Sequence, residues 1–214
     1  MEKRRKLKEL SPKERVEYIW EYYHWHFFAV IFILFLAISL IRQITAQKEP
    51  LLEVAMVNSG YISEEEDNIF GQFLNEYGYD DEKYSIEVNA NVRFDSDIQS
   101  EFVSTYLLAA LVSSGETDVF FWKDHELDSY IEDGLLMDLS KILDQECLEK
   151  YQDTILYTSG KEGKEPYPYG IKLGQNHPWI RSYGRYNECC VGVYYNTQNI
   201  QAAKELINYL LQAD

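Results

Sequence analysis

The sequence contains few of the residues on which disulfide frameworks and metal centres depend. It has three cysteines in 214 residues, and two of them, Cys189 and Cys190, are adjacent. Adjacent cysteines close a disulfide only with strain, so the sequence predicts no disulfide framework. Cys147 stands alone, and the spacing of the three cysteines resembles no zinc site. We therefore expect no metal and no bound cofactor.

Histidine is also scarce, which limits the catalytic chemistry that the chain can carry. Of the four histidines, His24 and His26 adjoin a long apolar run, and His125 and His177 lie beyond it. Neither His125 nor His177 belongs to a recognisable nucleophile or metal motif. We expect no catalytic residue and no enzymatic activity. A surface hydrolase would need an acid or nucleophile pair, and an activity that is lost on replacing Asp124 or His125 would support that alternative.

Basic residues are few after the first part of the chain. Of 20 Lys and Arg, 7 precede Phe27, and of 36 Asp and Glu, 5 do; the remainder holds 13 basic and 31 acidic residues, a net charge of −18. So acidic a segment argues against binding of nucleic acid and against lying flat on an anionic membrane. It permits a cationic ligand, but a solvated acidic surface is the commoner explanation.

The one long apolar run extends from Phe27 to Ile41 and has no polar side chain except Ser39. With its flanks it covers residues 22–44, enough for a helix that crosses a bilayer core of ~30 Å. The alternatives are a buried core helix and a cleavable signal peptide. A core helix would show polar residues at helical spacing, and Ile44-Thr45-Ala46 is a poor cleavage site, so we expect a retained membrane anchor.

Charge predicts the orientation of this helix. The arm 1–21 carries seven Lys and Arg, whereas the first stretch after Ile41 has only Arg42 and Lys48. Positive residues favour the cytoplasmic side, so we expect a cytoplasmic amino terminus and an extracellular carboxyl-terminal domain. Residues 45–50 form a linker, and residues 51–214 form one external domain with room for a hydrophobic core.

The external domain alternates strands with helices. The expected elements are a strand over 51–57, a helix closed by Gly78, a strand over 84–92, a helix closed by Gly115 and a strand over 119–122. We expect Asp124 and Asp138 to cap two short helices that follow. The face of the helix before Gly115 that should be buried comprises Ile98, Phe102, Val103, Tyr106, Leu107, Ala110 and Leu111. The alternation predicts an α/β fold with a mostly parallel sheet and helices on both faces.

Several segments resemble extracellular solute-binding proteins of ABC transporters. The helix rich in Leu and Ala ends in Gly115-Glu116-Thr117-Asp118-Val119, which is similar to that family's Gly-x-x-Asp-Val turn into a strand. Gly134-Leu135-Leu136-Met137-Asp138-Leu139 resembles its GLLxDL segment, and Tyr169-Gly170-Ile171-Lys172-Leu173 its YGI crossover. The stretch from Val191 to Leu210 resembles the strand and helix that return after the crossover. Together these segments cover most of 51–211.

The resemblance implies a fold that is only half present. In a complete family member a second lobe is inserted after the YGI crossover and closes over ligand as a hinge. Here only Gly174–Cys190 occupies that place, which we expect to be a loop or short hairpin. The resemblance therefore implies a single periplasmic-binding-protein-like lobe behind a transmembrane helix, and by analogy the envelope of a Gram-positive bacterium.

The carboxyl ends of parallel strands are where such a fold would bind a ligand. The candidate ligand-binding residues at those ends, with aromatic residues of the truncated crossover, are Ser59, Tyr61, Phe94, Trp122, Asp124, Trp179 and Tyr183. The alternative for the crossover aromatics is that they pack over the sheet where the second lobe would have been.

Two functions follow as hypotheses. The first is an anchored extracellular module that binds a small solute, a peptide or a protein partner. The second is an assembly subunit of a membrane complex, in which the former cleft face has become a protein interface.

Overall fold

The structure, a computed structural model, describes residues 11–45, 48–59, 69–94, 98–123, 125–159, 165–183 and 185–212. The chain divides into two compact units, Met1–Lys48 and Glu49–Asp214. Within the described residues, the first unit contains one long helix, and the second contains a six-stranded sheet with helices on both faces.

The long apolar run lies in helix α1, which spans Pro12–Thr45. Its window Tyr23–Leu40 has a mean hydropathy of 1.9, and none of that window is buried. The helix is therefore long and apolar enough to cross a membrane. The alternative of a buried core helix is wrong, because the apolar side chains are exposed. Length and composition of this kind are shared by membrane anchors and by signal sequences near an amino terminus.

The second unit is built on one sheet with the strand order β2-β1-β3-β6-β5-β4. Its strands are β1 (Glu49–Met56), β2 (Tyr84–Asn89), β3 (Val119–Trp122), β4 (Ile155–Tyr157), β5 (Pro168–Leu173) and β6 (Cys189–Val193). Its helices are α2 (Gly71–Glu76), α3 (Ile98–Ser114), α4 (Asp128–Glu132), α5 (Gln145–Lys150), α6 (Pro178–Tyr183) and α7 (Ile200–Gln212). The three strands expected from the sequence are confirmed, and the α/β class with them.

The sheet is mixed, so the expectation of a mostly parallel sheet is wrong. β1 pairs in parallel with β2 and β3, whereas β3–β6, β6–β5 and β5–β4 are antiparallel. β3 follows β2 through α3, a crossover long enough to return the chain to the same end of the sheet. The connections from β4 to β5 and from β5 to β6 join neighbouring strands, and such connections favour antiparallel pairs.

Alternation along the strands divides the core between the two faces of the sheet. In β1, Leu52, Val54 and Met56 point to one face, which α2, α5, α6 and α7 cover. Ala55 and Val57 point to the other, which α3 and α4 cover. We call these the α7 face and the α3 face. Because both sides of β1 are buried, its apolar run is nearly continuous, as is usual for a central strand.

Predicted helix ends are mostly confirmed. Gly78, Gly115 and Gly134 follow α2, α3 and α4 with φ of +72°, +69° and +92°, where glycine is favoured because it lacks a Cβ. The Asp138 carboxylate accepts a hydrogen bond of 3.0 Å from the Ser140 amide at a 3-10 turn. Asp124, the other expected cap, lies outside the described residues.

The buried face of α3 differs from the predicted one. Phe102, Val103 and Tyr106 were expected inside and are exposed, whereas Ser104 and Leu108 are buried against the sheet. Apolar residues surround most of this helix, so their spacing does not select one face. The second difference is α6, which occupies part of the crossover that was expected to be a loop or short hairpin.

Asp118 directly precedes β3 and joins it to β1 and to the start of α7. Only 3% of the residue is exposed. Its carboxylate accepts hydrogen bonds from the Glu53 backbone amide (2.9 Å), the Asn199 side-chain nitrogen (3.1 Å) and the Thr197 hydroxyl. Its backbone amide donates to the Glu53 carbonyl (2.8 Å), and its carbonyl accepts from the Tyr194 amide (2.8 Å). A buried carboxylate with these donors is satisfied without a cation.

We expect Asp118→Ala to lower the free energy of unfolding by about 2–4 kcal/mol, because three buried donors lose a charged acceptor. Urea unfolding of the full-length chain in detergent, followed by tryptophan fluorescence, measures the loss. Asp153→Ala, at an exposed aspartate, is the matched control and should change stability by no more than about 0.5 kcal/mol. Equal midpoints for the two variants would contradict the role of Asp118.

The Tyr79 phenol ties the end of α2 to α7, because it donates a hydrogen bond of 2.6 Å to Glu205 Oε2. Burial, and then the bond to this carboxylate, raises the pKa of Tyr79 to about 12. An unfolded chain would ionise near pH 10, so between pH 10 and 12 the folded state holds the extra proton. Its stabilising contribution is therefore complete below pH 10 and is lost as the pH rises through 12.

We expect Tyr79→Phe to reduce stability below pH 10 and to flatten the loss of stability between pH 10 and 12. Urea midpoints at pH 8, 10 and 12 measure both effects. Tyr157→Phe, at an exposed tyrosine of β4, is the control. A Tyr79→Phe profile parallel to that of the unaltered chain would contradict the linkage.

Candidate binding site at the carboxyl end of the sheet

Asn58 organises the carboxyl end of the sheet, where β1, β2 and β3 finish. It follows β1 in the left-handed region, with φ of +58°, a conformation that asparagine tolerates better than most residues. Its side-chain oxygen accepts from the Phe94 amide (2.7 Å), and its side-chain nitrogen donates to Glu126 Oε1 (2.5 Å). One side chain therefore holds the segment after β2 and the segment after β3.

Tyr186 closes the same end of the sheet over β1 and β3. Its hydroxyl donates to the Val57 carbonyl oxygen at 2.7 Å, and the ring is buried. Burial, more than the neighbouring Cys189, raises the pKa of the Tyr186 phenol, so the group stays neutral and serves as a donor. Ser59 is buried here too, and its hydroxyl lies 3.4 Å from the Met56 carbonyl oxygen.

The two candidate tryptophans lie on opposite faces of the sheet. Trp122, 1% exposed, belongs to the α3-face core and stacks on Tyr169 with 6.3 Å between ring centroids. Trp179, 3% exposed, belongs to the α7-face core, where its centroid is 5.0 Å from that of Phe121 and 5.7 Å from that of Phe70. The two rings therefore lie in separate parts of the core.

Glycine permits the close packing of Trp122. A Cβ at Gly170 would come within 2.8 Å of the Val191 carbonyl oxygen and 3.4 Å of the Trp122 ring. Contacts of the first kind are not tolerated, so the YGI segment needs glycine where β5 passes β6. The same glycine leaves room for the tryptophan ring at the floor of the pocket described below.

Residues of the crossover pack as part of the core. The Trp179 indole donates to the Ile69 carbonyl oxygen (3.3 Å), and the Tyr183 ring lies 5.5 Å from Trp179. His177 is buried beside them: Nδ1 accepts from the Trp179 amide (3.2 Å), so Nε2 carries the proton and donates to the Leu210 carbonyl oxygen (2.8 Å). This histidine orients α6 against α7 and has no free ring nitrogen for chemistry.

A pocket of about 410 Å³ opens between the end of β3, the end of β5 and the start of β6. Tyr169, which stacks on the buried Trp122 ring, contributes aromatic surface, and charged side chains surround it. Its lining residues are Trp122, Lys123, His125, Asp128, Leu156, Tyr169, Lys172, Glu188, Cys189 and Cys190. We call this the β3–β5 pocket.

The charges of the β3–β5 pocket are paired. Lys172 Nζ lies 3.3 Å from Glu188 Oε2, and His125 Nδ1 lies 2.6 Å from Asp128 Oδ2. These side chains are half-exposed or more, so each pair contributes little to stability and can exchange its partner for a ligand at small cost. Both signs of charge beside aromatic surface suit a small zwitterion, such as an amino acid or the ends of a short peptide.

Two of the three cysteines are poor candidates for nucleophilic chemistry. Burial raises the pKa of the Cys189 thiol well above its ordinary range, and it also raises the pKa of Cys147. A thiol with a raised pKa is a poor nucleophile at neutral pH. Within the part of the chain that the structure describes, no group of three His, Cys, Asp or Glu is placed to hold a metal ion.

Of the candidate ligand-binding residues that the structure describes, only Trp122 lines the β3–β5 pocket. Phe94 is half-buried beside Asn58, Ser59 is buried, and Trp179 and Tyr183 pack in the α7-face core. Tyr61 and Asp124 lie outside the described residues. Whether any of these residues binds a ligand stays a prediction.

The sequence reasoning missed the half of the pocket that β5 and β6 supply. Tyr169, Lys172, Glu188 and Cys190 are not among its candidates, because it considers the ends of the parallel strands and the aromatic residues of the crossover. Had β5 been placed beside β6, the alternation along the YGI segment would have directed Lys172 to the face that Trp122 occupies.

Comparison of the chain with protein-family models, with curated proteins and with solved structures finds no match in any of the three.

Asn58 provides a test of the carboxyl-end geometry. We expect Asn58→Ala to destabilise the chain more than Asn58→Gly, by about 1 kcal/mol, because both lose the side-chain bonds but only alanine is strained at positive φ. Urea unfolding of the two full-length variants measures the difference. Equal midpoints would show that residue 58 does not need the left-handed conformation.

Proposed function

We propose that this chain is a membrane-anchored extracellular recognition module, built on one lobe of a solute-binding-like fold, that binds a small zwitterionic solute in the β3–β5 pocket. Helix α1 would be the anchor, with the basic arm 1–21 in the cytoplasm and the second unit outside. The role is non-catalytic.

One observation carries the proposal: the place of the crossover in the sheet. β5 and β6 are neighbours, and Leu173 pairs with Cys189 across the antiparallel ladder. A second lobe inserted between these strands would leave and re-enter the sheet at adjacent positions, as an insertion requires. In this chain residues 174–188 span that gap with α6. The strand pairing supports a relation to a two-lobed binding protein with one lobe removed.

A single lobe favours weak and reversible binding. Its pocket is open on the side that a second lobe would cover, so a ligand stays partly hydrated. A ligand carboxylate would meet Lys123 and Lys172, and a ligand ammonium would meet Glu188 and Asp128. In this arrangement the ligand binds to exposed charged side chains, which contribute little to the stability of the fold.

Ligand binding is tested by thermal unfolding of the full-length chain in nanodiscs with glycine, glutamate, alanyl-alanine, glucose and putrescine as probes. At ten times the dissociation constant a ligand adds about 1.4 kcal/mol, which shifts the melting temperature by about 3–5 °C. We expect shifts with the amino acids or the dipeptide and none with glucose.

Lysine variants identify the site of any shift. Lys172→Ala and Lys123→Ala should abolish it, whereas Lys141→Ala, at an exposed lysine outside the pocket, should retain it. These variants are preferable to changes at Trp122 or Trp179, whose burial would make loss of binding and loss of fold indistinguishable. No shift with any probe, or a shift that survives both pocket variants, would contradict the proposal.

A second candidate is an assembly subunit that uses the former cleft face as a protein interface. Burial of Trp179 and Tyr186 favours it, because these aromatics close the carboxyl end where a ligand cleft would otherwise lie. Crosslinking in intact membranes from Glu188→Cys in a chain whose own cysteines are replaced tests it. A single stoichiometric partner, with no thermal shift from the probes, supports the second candidate over the first.

A further inference from the structure

Helix α3 presents an apolar face that the fold does not use. Phe102 is 77% exposed and Tyr106 is 71% exposed, and Val103 and Ala110 are exposed beside them. Positions 102, 106 and 110 recur at four-residue spacing and therefore form one stripe. Of the large hydrophobic side chains described between Glu49 and Gln212, Phe102 and Tyr106 are the two most exposed. We call these four residues the α3 stripe.

The opposite side of α3 already packs on the sheet. Leu108 is buried in the α3-face core, and Leu107, Leu111 and Val112 pack against that core. Ser104 is buried as well and bonds to Arg93, through both the Arg93 carbonyl oxygen and its amide (3.3 Å). The packing of α3 on the sheet therefore does not involve the α3 stripe. Its two exposed aromatic side chains lower solubility and do not stabilise the fold.

Negative charge lies at the carboxyl-terminal end of α3. Glu116 is exposed just after Gly115, and Glu87 lies across the parallel pairing from Glu53. Burial, and then repulsion from Glu116 and Glu87, raises the pKa of Glu53. The last carbonyl groups of α3 add the negative end of the helix dipole. The stripe itself has no basic residue, and Glu101 is the one charged residue in the sequence of α3.

Charge selects among the surfaces that could cover the stripe. A second copy would bring together two domains that each carry a net charge of −18, and an anionic lipid surface would be repelled in the same way. A partner with an apolar helix flanked by Lys or Arg would satisfy both the aromatic side chains and the acidic end. We propose that the α3 stripe docks an amphipathic basic helix of a partner protein, with the partner's cationic residues beside Glu116.

The experiment measures binding of defined helical peptides to the full-length chain in nanodiscs. The probes are an amphipathic Leu/Lys helix, an amphipathic Leu/Glu helix and a Leu/Lys peptide of the same composition in scrambled order. We expect the amphipathic Leu/Lys helix to bind at least tenfold more tightly than either of the others, and its affinity to fall with salt.

Variants then separate the apolar and the charged parts of the surface. Phe102→Ser with Tyr106→Ser should weaken the Leu/Lys helix at least tenfold, whereas Tyr157→Ser, at an exposed tyrosine of β4, should not. Glu116→Lys should weaken it, and Glu149→Lys, at an exposed glutamate of α5, should do so less. Urea midpoints of all variants show whether each is folded, and a folded variant is required for its result to count.

Three results would overturn the proposal. The first is equal binding of the amphipathic and scrambled Leu/Lys peptides, which would indicate attraction by net charge alone. The second is unchanged binding in the folded Phe102→Ser, Tyr106→Ser variant. The third concerns a chain whose own cysteines are replaced: Tyr106→Cys gives a crosslinked dimer, and Tyr157→Cys does not. That third result would assign the stripe to a second copy of this chain.

Discussion

The buried carboxylate of Asp118 is the interaction on which the central part of the sheet depends. β1 and β3 are neighbours but far apart in sequence, and the Asp118 backbone and side chain bond to Glu53 from both sides. The same carboxylate accepts from Thr197 and Asn199, which places the first turn of α7 over the sheet. A buried carboxylate is tolerated only when both of its oxygens accept hydrogen bonds. The position of Asp118 therefore fixes β1, β3 and the start of α7 relative to one another.

At the opposite end of the same strands, neutral side chains make several of the polar contacts. Asn58 joins two segments by its amide, Tyr186 caps the Val57 carbonyl, and His177 holds α6 to α7. These side chains bond mainly to backbone groups, so they stabilise the fold and offer little to a ligand. The exposed charges of the β3–β5 pocket, paired side chain to side chain at the surface, can exchange partners at small cost.

Sequence alone was sufficient for the features that depend on local chemistry. The β1 apolar run, the glycines at helix ends and the Asp138 cap follow from rules that act within a few residues, and each is present. The α3 face was misassigned because nearly every side of that helix is apolar, so only the tertiary structure decides which side packs. The pocket was half missed because β5 and β6 become neighbours through an antiparallel pairing over a crossover, and no local pattern encodes that pairing.

The short connection between α1 and β1 has a mechanical meaning. α1 ends at Thr45, and β1 begins at Glu49, whose amide already bonds to the Lys83 carbonyl oxygen at the start of the ladder with β2. A pull on α1 therefore enters the sheet along a strand that has neighbours on both sides. A load along such a strand is shared by the hydrogen bonds on both of its sides, whereas a load along an edge strand such as β4 is carried by one ladder only. The chain is attached to its long helix through a strand that is flanked on both sides.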